Sequence, residues 1–250
     1  IDAVAAYAAQ FGMGRPTGVG INSEGGGLNP SSDWKKRRYA KNPSAQAWTA
    51  GDTASAGIGQ GYTLATPIQM ARMTAALANG GTLLRPLLVD HVVGSEGEVV
   101  FRGEPHVDGE VDLSPEAFAA IQGGMLAVVE EIGGTARRQR LPELAFAGKT
   151  GTAQVVALGN SRAKEFRDHA WFVAFAPFDE PEVAISVLVE HGEHGSSTAA
   201  PIARKLFEAY FADRMTQAKA QGMRIGVPGS GGPQALEPAA EGGLDAVPGL

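Results

Sequence analysis

At 250 residues, with 44% hydrophobic and 19% charged content, the chain has the composition of an ordinary globular domain with one sizeable core. A formal net charge of −6 with no basic stripe argues against nucleic acid as a partner, and the absence of cysteine excludes disulfides and thiol catalysis. No stretch approaches the ~20 apolar residues that cross a bilayer, nor does the sequence open with a signal-peptide pattern.

In chain order, a helix over Val4–Gln10 leads into Gly/Pro/Asn-rich loops that run to about residue 56. Asn29-Pro30-Ser31-Ser32-Asp33 has turn or helix-cap chemistry, and Lys35-Lys36-Arg37-Arg38 reads as a solvated basic run. Ser32 and Lys35 match S-x-x-K, and Ser31-Ser32-Asp33 imitates a second serine motif. A nucleophile needs a rigid, largely buried helix beside its base, so turn or helix-cap chemistry is a poor setting for one. Three glycines in Gly57-Ile58-Gly59-Gln60-Gly61-Tyr62 imply a tight loop in close backbone approach, without the strand and Lys-Ser/Thr context of a phosphate loop. Tyr62 fits a substrate pocket or core packing equally. Thr66 and Gln69 have capping-box spacing with Pro67 at the first helical position. Ile68, Ala71, Ala75, Leu77 and Ala78 follow as apolar positions, and Asn79-Gly80-Gly81 ends the helix.

Residues 57 to 135 read as helical, with a short Val/Leu-rich connection near 83–101. Ser114-Pro115-Glu116 starts a helix with Phe118, Ile121, Met125, Leu126 and Val129 on its apolar side, and Glu130-Glu131 marks its end rather than a catalytic carboxylate pair. Residues 144 to 190 give three strands. The first carries Gly148-Lys149-Thr150-Gly151-Thr152-Ala153-Gln154: a cation, hydroxyls and a side-chain-free residue on what reads as a strand edge able to hold a carboxylate and an acyl group. Alternation places Lys149 and Gly151 on one face and Thr150 and Thr152 on the other, and free N–H groups on such an edge can stabilise an oxyanion. Ser161-Arg162-Ala163-Lys164 is a second S-x-x-K match, in a polar segment read as a mobile loop.

His169 opens the second strand, and Pro177-Phe178-Asp179-Glu180-Pro181 turns it into the third. His191-Gly192-Glu193-His194 lacks a third ligand, so no metal is expected. A last helix over about 200–220 is expected to pack on the sheet through Ile202, Leu206, Ala209 and Tyr210. A Gly/Pro/Ala-rich tail over 221–250 is expected to be disordered.

The strings IGQGYTLATPIQMARMTAALANGG and GKTGTAQV, with FGMGRPTGVG, LNPSSDWKKRRY, WTAGDTASAGIGQGY, DHAWFVAFAP and VLVEHGEHGSS, resemble the transpeptidase domain of class B penicillin-binding proteins over about residues 1 to 212. The elongation-type penicillin-binding protein 2 subgroup is the nearest in pattern. K-T-G is the third element of that serine acyl-transfer machinery. The resemblance implies a mixed α/β penicillin-binding/β-lactamase-like fold, an antiparallel sheet flanked by helices, with residues 1–220 forming its C-terminal part and the N-terminal part of the domain missing. It implies cross-linking of peptidoglycan stem peptides through an acyl-serine intermediate, inhibition by β-lactams, no cofactor, and cell-elongation membrane proteins as partners. The place implied is the periplasmic face of the bacterial inner membrane, with the anchor outside this chain.

By the same resemblance Lys149 tunes cleft electrostatics and aids proton transfer, Thr150 and Thr152 bind the substrate carboxylate, Gly151 keeps the strand open, and the Thr152 N–H is one of two oxyanion donors. In the family the serine motifs precede the FGMG-like segment, so the nucleophile and its lysine are expected upstream of Ile1. Two further readings stay open: a serine β-lactamase or D,D-carboxypeptidase of the same fold, and a non-catalytic module binding wall peptide or a partner.

Overall fold

The computed structural model describes residues 1–155 and 167–227, and its organising element is a three-stranded antiparallel sheet whose strands lie side by side in chain order. Strands β5 (Ala147–Ala153), β6 (His169–Ala176) and β7 (Val183–Val189) run where the sequence predicts, with Lys149 opposite Val173 and Gly151 opposite Trp171. Period-two alternation divides the apolar side chains between two faces. On one face Phe146, Phe172, Ala174 and Val187 pack against helix α6 (Ala200–Tyr210) through Ala203 and Phe207. On the other, Ala147, Val173 and Phe175 pack against Met125 of α5 (Pro115–Glu130) and against Met70 and Leu77 of α4 (Pro67–Ala78). The result is the expected mixed α/β arrangement of an antiparallel sheet between helices.

The N-terminal third holds more helix than its composition suggests. Besides α1 (Asp2–Gln10), it contains α2 (Ser32–Arg38) and α3 (Ala50–Gly57), in place of the loops expected to residue 56. Both are short helices held by their caps. The Ser31 hydroxyl accepts from the Trp34 N–H at 3.1 Å, and Thr49 and Asp52 form a reciprocal capping box. Lys35, expected in a solvated run, is 6% exposed and donates to Asp52 Oδ2 at 2.6 Å, because the ion pair compensates its burial.

Helix α4 opens with the predicted Thr66–Gln69 capping box and Pro67 in its first turn. Its most buried positions include polar ones. Gln69 Nε2 donates to the carbonyls of Arg15 and Gly26, both at 2.8 Å, and Arg72 donates to the Leu84 carbonyl and pairs with Asp108. These side chains tie the glycine-rich loops and the following strands to the helix.

The segment near 83–101, expected as a connection within a helical region, forms strands. β1 (Thr82–Leu84) pairs with β4 (Val107–Glu110), and β2 (His91–Val93) pairs with β3 (Val99–Arg102), both antiparallel. The Val92-Val93 and Val99-Val100-Phe101 runs favour extended backbone. Between them Gly97 adopts φ +86° and its N–H donates to the Gly94 carbonyl at 3.1 Å, closing the turn.

The C-terminal helix is two helices, α6 and α7 (Ala212–Ala220), separated at Phe211. The face on the sheet is Ala200, Ala203 and Phe207, followed by Phe211, not the face expected. Ile202, Leu206 and Tyr210 are 42%, 48% and 63% exposed, and Ala209 is also exposed. Both stripes have helical spacing. The alanines win because small side chains let the helix axis approach the sheet while one phenylalanine fills the gap.

The chain also stays docked beyond Gln221, where the tail was expected to begin. Ile225 donates to the Glu143 carbonyl and accepts from the Ala145 N–H, both at 2.8 Å. Arg224 forms an ion pair with Glu130, which Arg140 joins at 2.7 Å. Burial pushes the Glu130 carboxyl up, but hydrogen bonds from Arg224 and Arg140 outweigh it and hold the group below its ordinary value. The rest of the expected tail, 228–250, lies outside the described residues.

Among the described residues no strand pairs with the outer edge of β7, and the Ile202/Leu206/Tyr210 stripe faces solvent. Unpaired edges and wet apolar stripes weaken cooperativity. The isolated 250-residue chain should therefore unfold broadly, with a calorimetric enthalpy unequal to the van't Hoff value. A single sharp transition at high temperature would refute this.

Candidate active site

Among the described residues β5 is an edge strand, and its outer main-chain groups are approached by a side chain rather than by another strand. Gln60 Nε2 donates to the Thr152 carbonyl at 2.7 Å, and Gln60 Oε1 accepts from the Gln154 N–H at 3.3 Å. In an antiparallel strand a residue directs its N–H and C=O to the same side, and alternate residues share that side. The Thr152 N–H therefore faces the outer edge, as do the main-chain groups of Thr150. The Lys149 ammonium donates to the Thr150 carbonyl at 2.6 Å, which brings the cation to the same edge, and its side chain is exposed. The Thr150 hydroxyl lies 3.0 Å from that of Thr135, which follows α5.

The alternation expected for this strand holds: the Lys149 ammonium and the main-chain groups of Thr150 and Thr152 share the outer edge, while Gly151 between them turns its main chain toward β6. The glycines fit close packing. A Cβ at Gly148 would run into the Phe172 ring, and one at Gly151 would lie 3.1 Å from Trp171 Cβ. Gly195 begins the turn Gly195–Ala199, and its Cα lies so close over β5 and β6 that a Cβ there would overlap the carbonyls of Gly151 and Trp171. That turn backs the strand on the face of Thr150 and Thr152.

The loop that delivers Gln60 is anchored on its C-terminal side. Gly59 and Gly61 adopt φ +73° and +72°, backbone that few other residues enter without strain. Tyr62 then packs among Trp34, Tyr39 and Trp48, with ring centroids 5.0, 6.4 and 6.3 Å away. Of the two readings of Tyr62, packing is what the structure shows. The Tyr39 hydroxyl, 3.4 Å away, together with burial pushes the Tyr62 phenol up to about 12. Beneath the rings, Lys35 Nζ sits 5.7 Å from the centroids of both Trp48 and Tyr62. The Lys35 hydrogen bond, then the hydroxyl and N–H of Thr49, lower the Asp52 carboxyl to about 2.

The other candidates stand apart from this edge. The Ser32 hydroxyl donates to Asp2 Oδ2 at 2.8 Å while Lys35 is engaged by Asp52, so the S-x-x-K match does not form a nucleophile–base pair. Ser161 lies outside the described residues. His169 Nδ1 accepts from the His191 N–H at 3.0 Å, and the two rings pack 5.0 Å apart. His191 Nδ1 lies 3.2 Å from the Arg167 carbonyl, so these imidazoles hold the turn after β7. Among the described residues no group of three His, Asp or Glu side chains could hold a metal ion. Sequence reasoning missed Gln60, Thr135 and Gly195. Only their place in Gly-rich strings hinted at them, since nothing local says that residue 60 reaches residue 152.

A family profile described as the penicillin-binding protein transpeptidase domain matches residues 1–208, and the chain belongs to that family. It is 39% identical over 230 residues to the peptidoglycan D,D-transpeptidase MrdA of Haemophilus influenzae, covering 87% of this chain and 34% of that protein. Among solved structures it resembles Pseudomonas aeruginosa PBP2 in complex with WCK 5153, at TM-score 0.70 and 36% identity, over 90% of this chain and 44% of that one. It also resembles the PBP2 in the complex between PBP2 and MreC from Helicobacter pylori, at TM-score 0.66 and 31% identity, over 82% and 35% of the two chains. The fold is thus the penicillin-binding/β-lactamase-like fold, and the chain spans about a third of the length of the MrdA relative.

Two outcomes follow from this geometry. Asp52 titrates at about 2 in the folded chain against an ordinary 3.8, so its stabilisation is present above pH ~4 and is lost as pH falls through about 2. A fluorescence change from Trp34 and Trp48 should track that window and vanish in Asp52→Asn. Gly195→Ala should destabilise the fold by about 2 kcal/mol, through overpacking against two carbonyls. An unchanged melting temperature in that variant would contradict the close approach.

Proposed function

We propose that this chain supplies the ligand-binding strand of a serine-type peptidoglycan D,D-transpeptidase, which cross-links stem peptides through an acyl-serine intermediate and is acylated by β-lactams. The observation that carries the reading is the outer edge of β5, where the Lys149 ammonium and the main-chain groups of Thr150 and Thr152 face one side. Membership of the transpeptidase-domain family and the likeness to MrdA support it.

An extended peptide can lie along such an edge as an added strand. The Lys149 cation and the hydroxyls of Thr150 and Thr152 then meet its terminal carboxylate, since an anion is best held by charge-assisted hydrogen bonds. Gly151 leaves the strand surface open to the ligand. A serine Oγ adds to the scissile carbonyl, and the Thr152 N–H, with that serine's own N–H, stabilises the oxygen as it gains negative charge. The amide C–N bond breaks, the departing amine takes the serine's proton, and an acyl-serine ester remains. The amine of a second stem peptide attacks that ester, forms the cross-link and returns the proton to serine. Lys149 assists both proton transfers through its charge.

The reading places the nucleophilic serine and its lysine outside residues 1–250. It sets the reaction on the periplasmic face of the inner membrane, with the anchor also outside these residues. The complex of the H. pylori relative with MreC supports a protein partner, which this reading takes to be a cell-elongation membrane protein.

Intact-mass analysis of the full-length protein after incubation with benzylpenicillin should show one adduct, mapped to a serine outside residues 1–250. Lys149→Ala should slow its formation by about 10²-fold or more. No adduct on the full-length protein would overturn the enzymatic reading, and an adduct on Ser32 would overturn the placement of the nucleophile.

A further inference from the structure

We infer that Gln60 is a positioning residue that fixes where the ligand-binding edge of β5 ends and holds the Thr152 main chain in the orientation that its N–H needs; this rests on the transpeptidase reading. The Thr152 carbonyl and the Gln154 N–H are the acceptor and donor that a strand added to this edge would take next. Gln60 takes both with one side-chain amide, at 2.7 and 3.3 Å. An incoming peptide can therefore pair with the edge up to the Thr152 N–H and no further.

The same contact constrains Thr152 itself. Its N–H and C=O flank one Cα, so fixing the carbonyl from outside the sheet restricts the torsions that aim the N–H. On the other side of the strand β6 fixes Gly151 and Ala153, opposite Trp171 and His169. Thr152 is thus held from both sides by groups that do not belong to the ligand. Preorganised donors of this kind stabilise charge without reorganising as it develops.

The chemistry of the contact selects glutamine. It needs one donor and one acceptor on a planar group, which glutamate lacks at neutral pH and asparagine offers one methylene short. The loop that carries it is built for delivery. The glycines on either side have nothing within 4 Å of a hypothetical Cβ at Gly59 and only Ser55 near one at Gly61, so positive φ accounts for them better than packing. Tyr62, two residues on, is pinned among three aromatic rings.

The test uses the full-length protein and its Gln60→Ala and Gln60→Glu variants, with benzylpenicillin as probe. Stopped-flow acylation gives the dissociation constant of the non-covalent complex and the limiting acylation rate. Intact mass gives the fraction acylated, and thermal melting reports the fold. Loss of a whole oxyanion donor costs about 10²–10³ in rate, so a misaimed one should slow the limiting rate about 10-fold in both variants. The fraction acylated should stay near one, and non-covalent affinity should change little. Gln60→Glu keeps shape and volume but replaces the donor by a negative charge, so slowing there at least as large as in Gln60→Ala shows that side-chain volume alone does not hold the edge. A limiting rate unchanged in either variant, with only the acylated fraction or the melting temperature reduced, would show that Gln60 merely supports the fold and overturn the inference. Failure of the unsubstituted protein to acylate would instead overturn the transpeptidase reading on which it rests.

Discussion

The structure is arranged around an edge of β5 that no other described strand covers, yet that is not left as a bare strand edge. Exposed strand edges recruit other strands, and proteins usually blunt them with charge, bulges or coverage. Here the inner side is fully engaged by β6, and the outer side is limited by one amide from Gln60 and one ammonium from Lys149. A short stretch of the edge is left between these two contacts, while a long run of pairing with another chain is blocked. That compromise needs a rigid strand behind it and a rigid loop in front.

The rigid strand comes from both faces of the sheet. Phe146, Phe172 and Ala174 on one face and Ala147, Val173 and Phe175 on the other are buried beneath helices, so β5 cannot tilt to accommodate a ligand. The rigid loop comes from polar burial. Asp52 accepts from Lys35, from the Thr49 hydroxyl and from the Thr49 N–H, at 2.6, 2.7 and 2.8 Å. Breaking a pair of this kind leaves an uncompensated charge, which penalises alternative loop positions more than it stabilises the native one. The aromatic rings over Lys35 then fix Tyr62, and with it the far end of the loop.

Much of this is legible in the sequence, and the part that is not has a common cause. The KTG strand, the β6–β7 hairpin and the Thr66–Gln69 cap are local patterns, in which spacing alone states which groups meet. The pairing of β1 with β4 joins Leu84 to Val107 across an intervening hairpin, and no local propensity encodes that separation. Helix α6 presents two apolar stripes, and only the sheet it meets decides that Ala203 and Phe207 go inward and Leu206 outward. Lys35 reads as one cation in a basic run because its partner lies seventeen positions on. Gln60 is illegible for the same reason. Its chemistry is ordinary, and its importance lies wholly in a contact across ninety-two positions.

The geometry also resolves an apparent conflict in the motif. A strict two-residue period sends Lys149 and Gly151 to one face and Thr150 and Thr152 to the other, which would separate the cation from the hydroxyls if a ligand bound a face. Binding at the edge, as proposed, would remove the conflict, since the edge borders both faces and main-chain groups point along it. The Lys149 ammonium curls from its own face to the Thr150 carbonyl, and the Thr150 hydroxyl meets Thr135 from the opposite face. In the proposed reading, a ligand lying along the edge would be contacted from above, from below and end-on. A face-binding ligand would gain only one set of side chains. The sequence K-T-G-T is thus a motif for an edge, and the fold makes it one by leaving β5 outermost among the described strands.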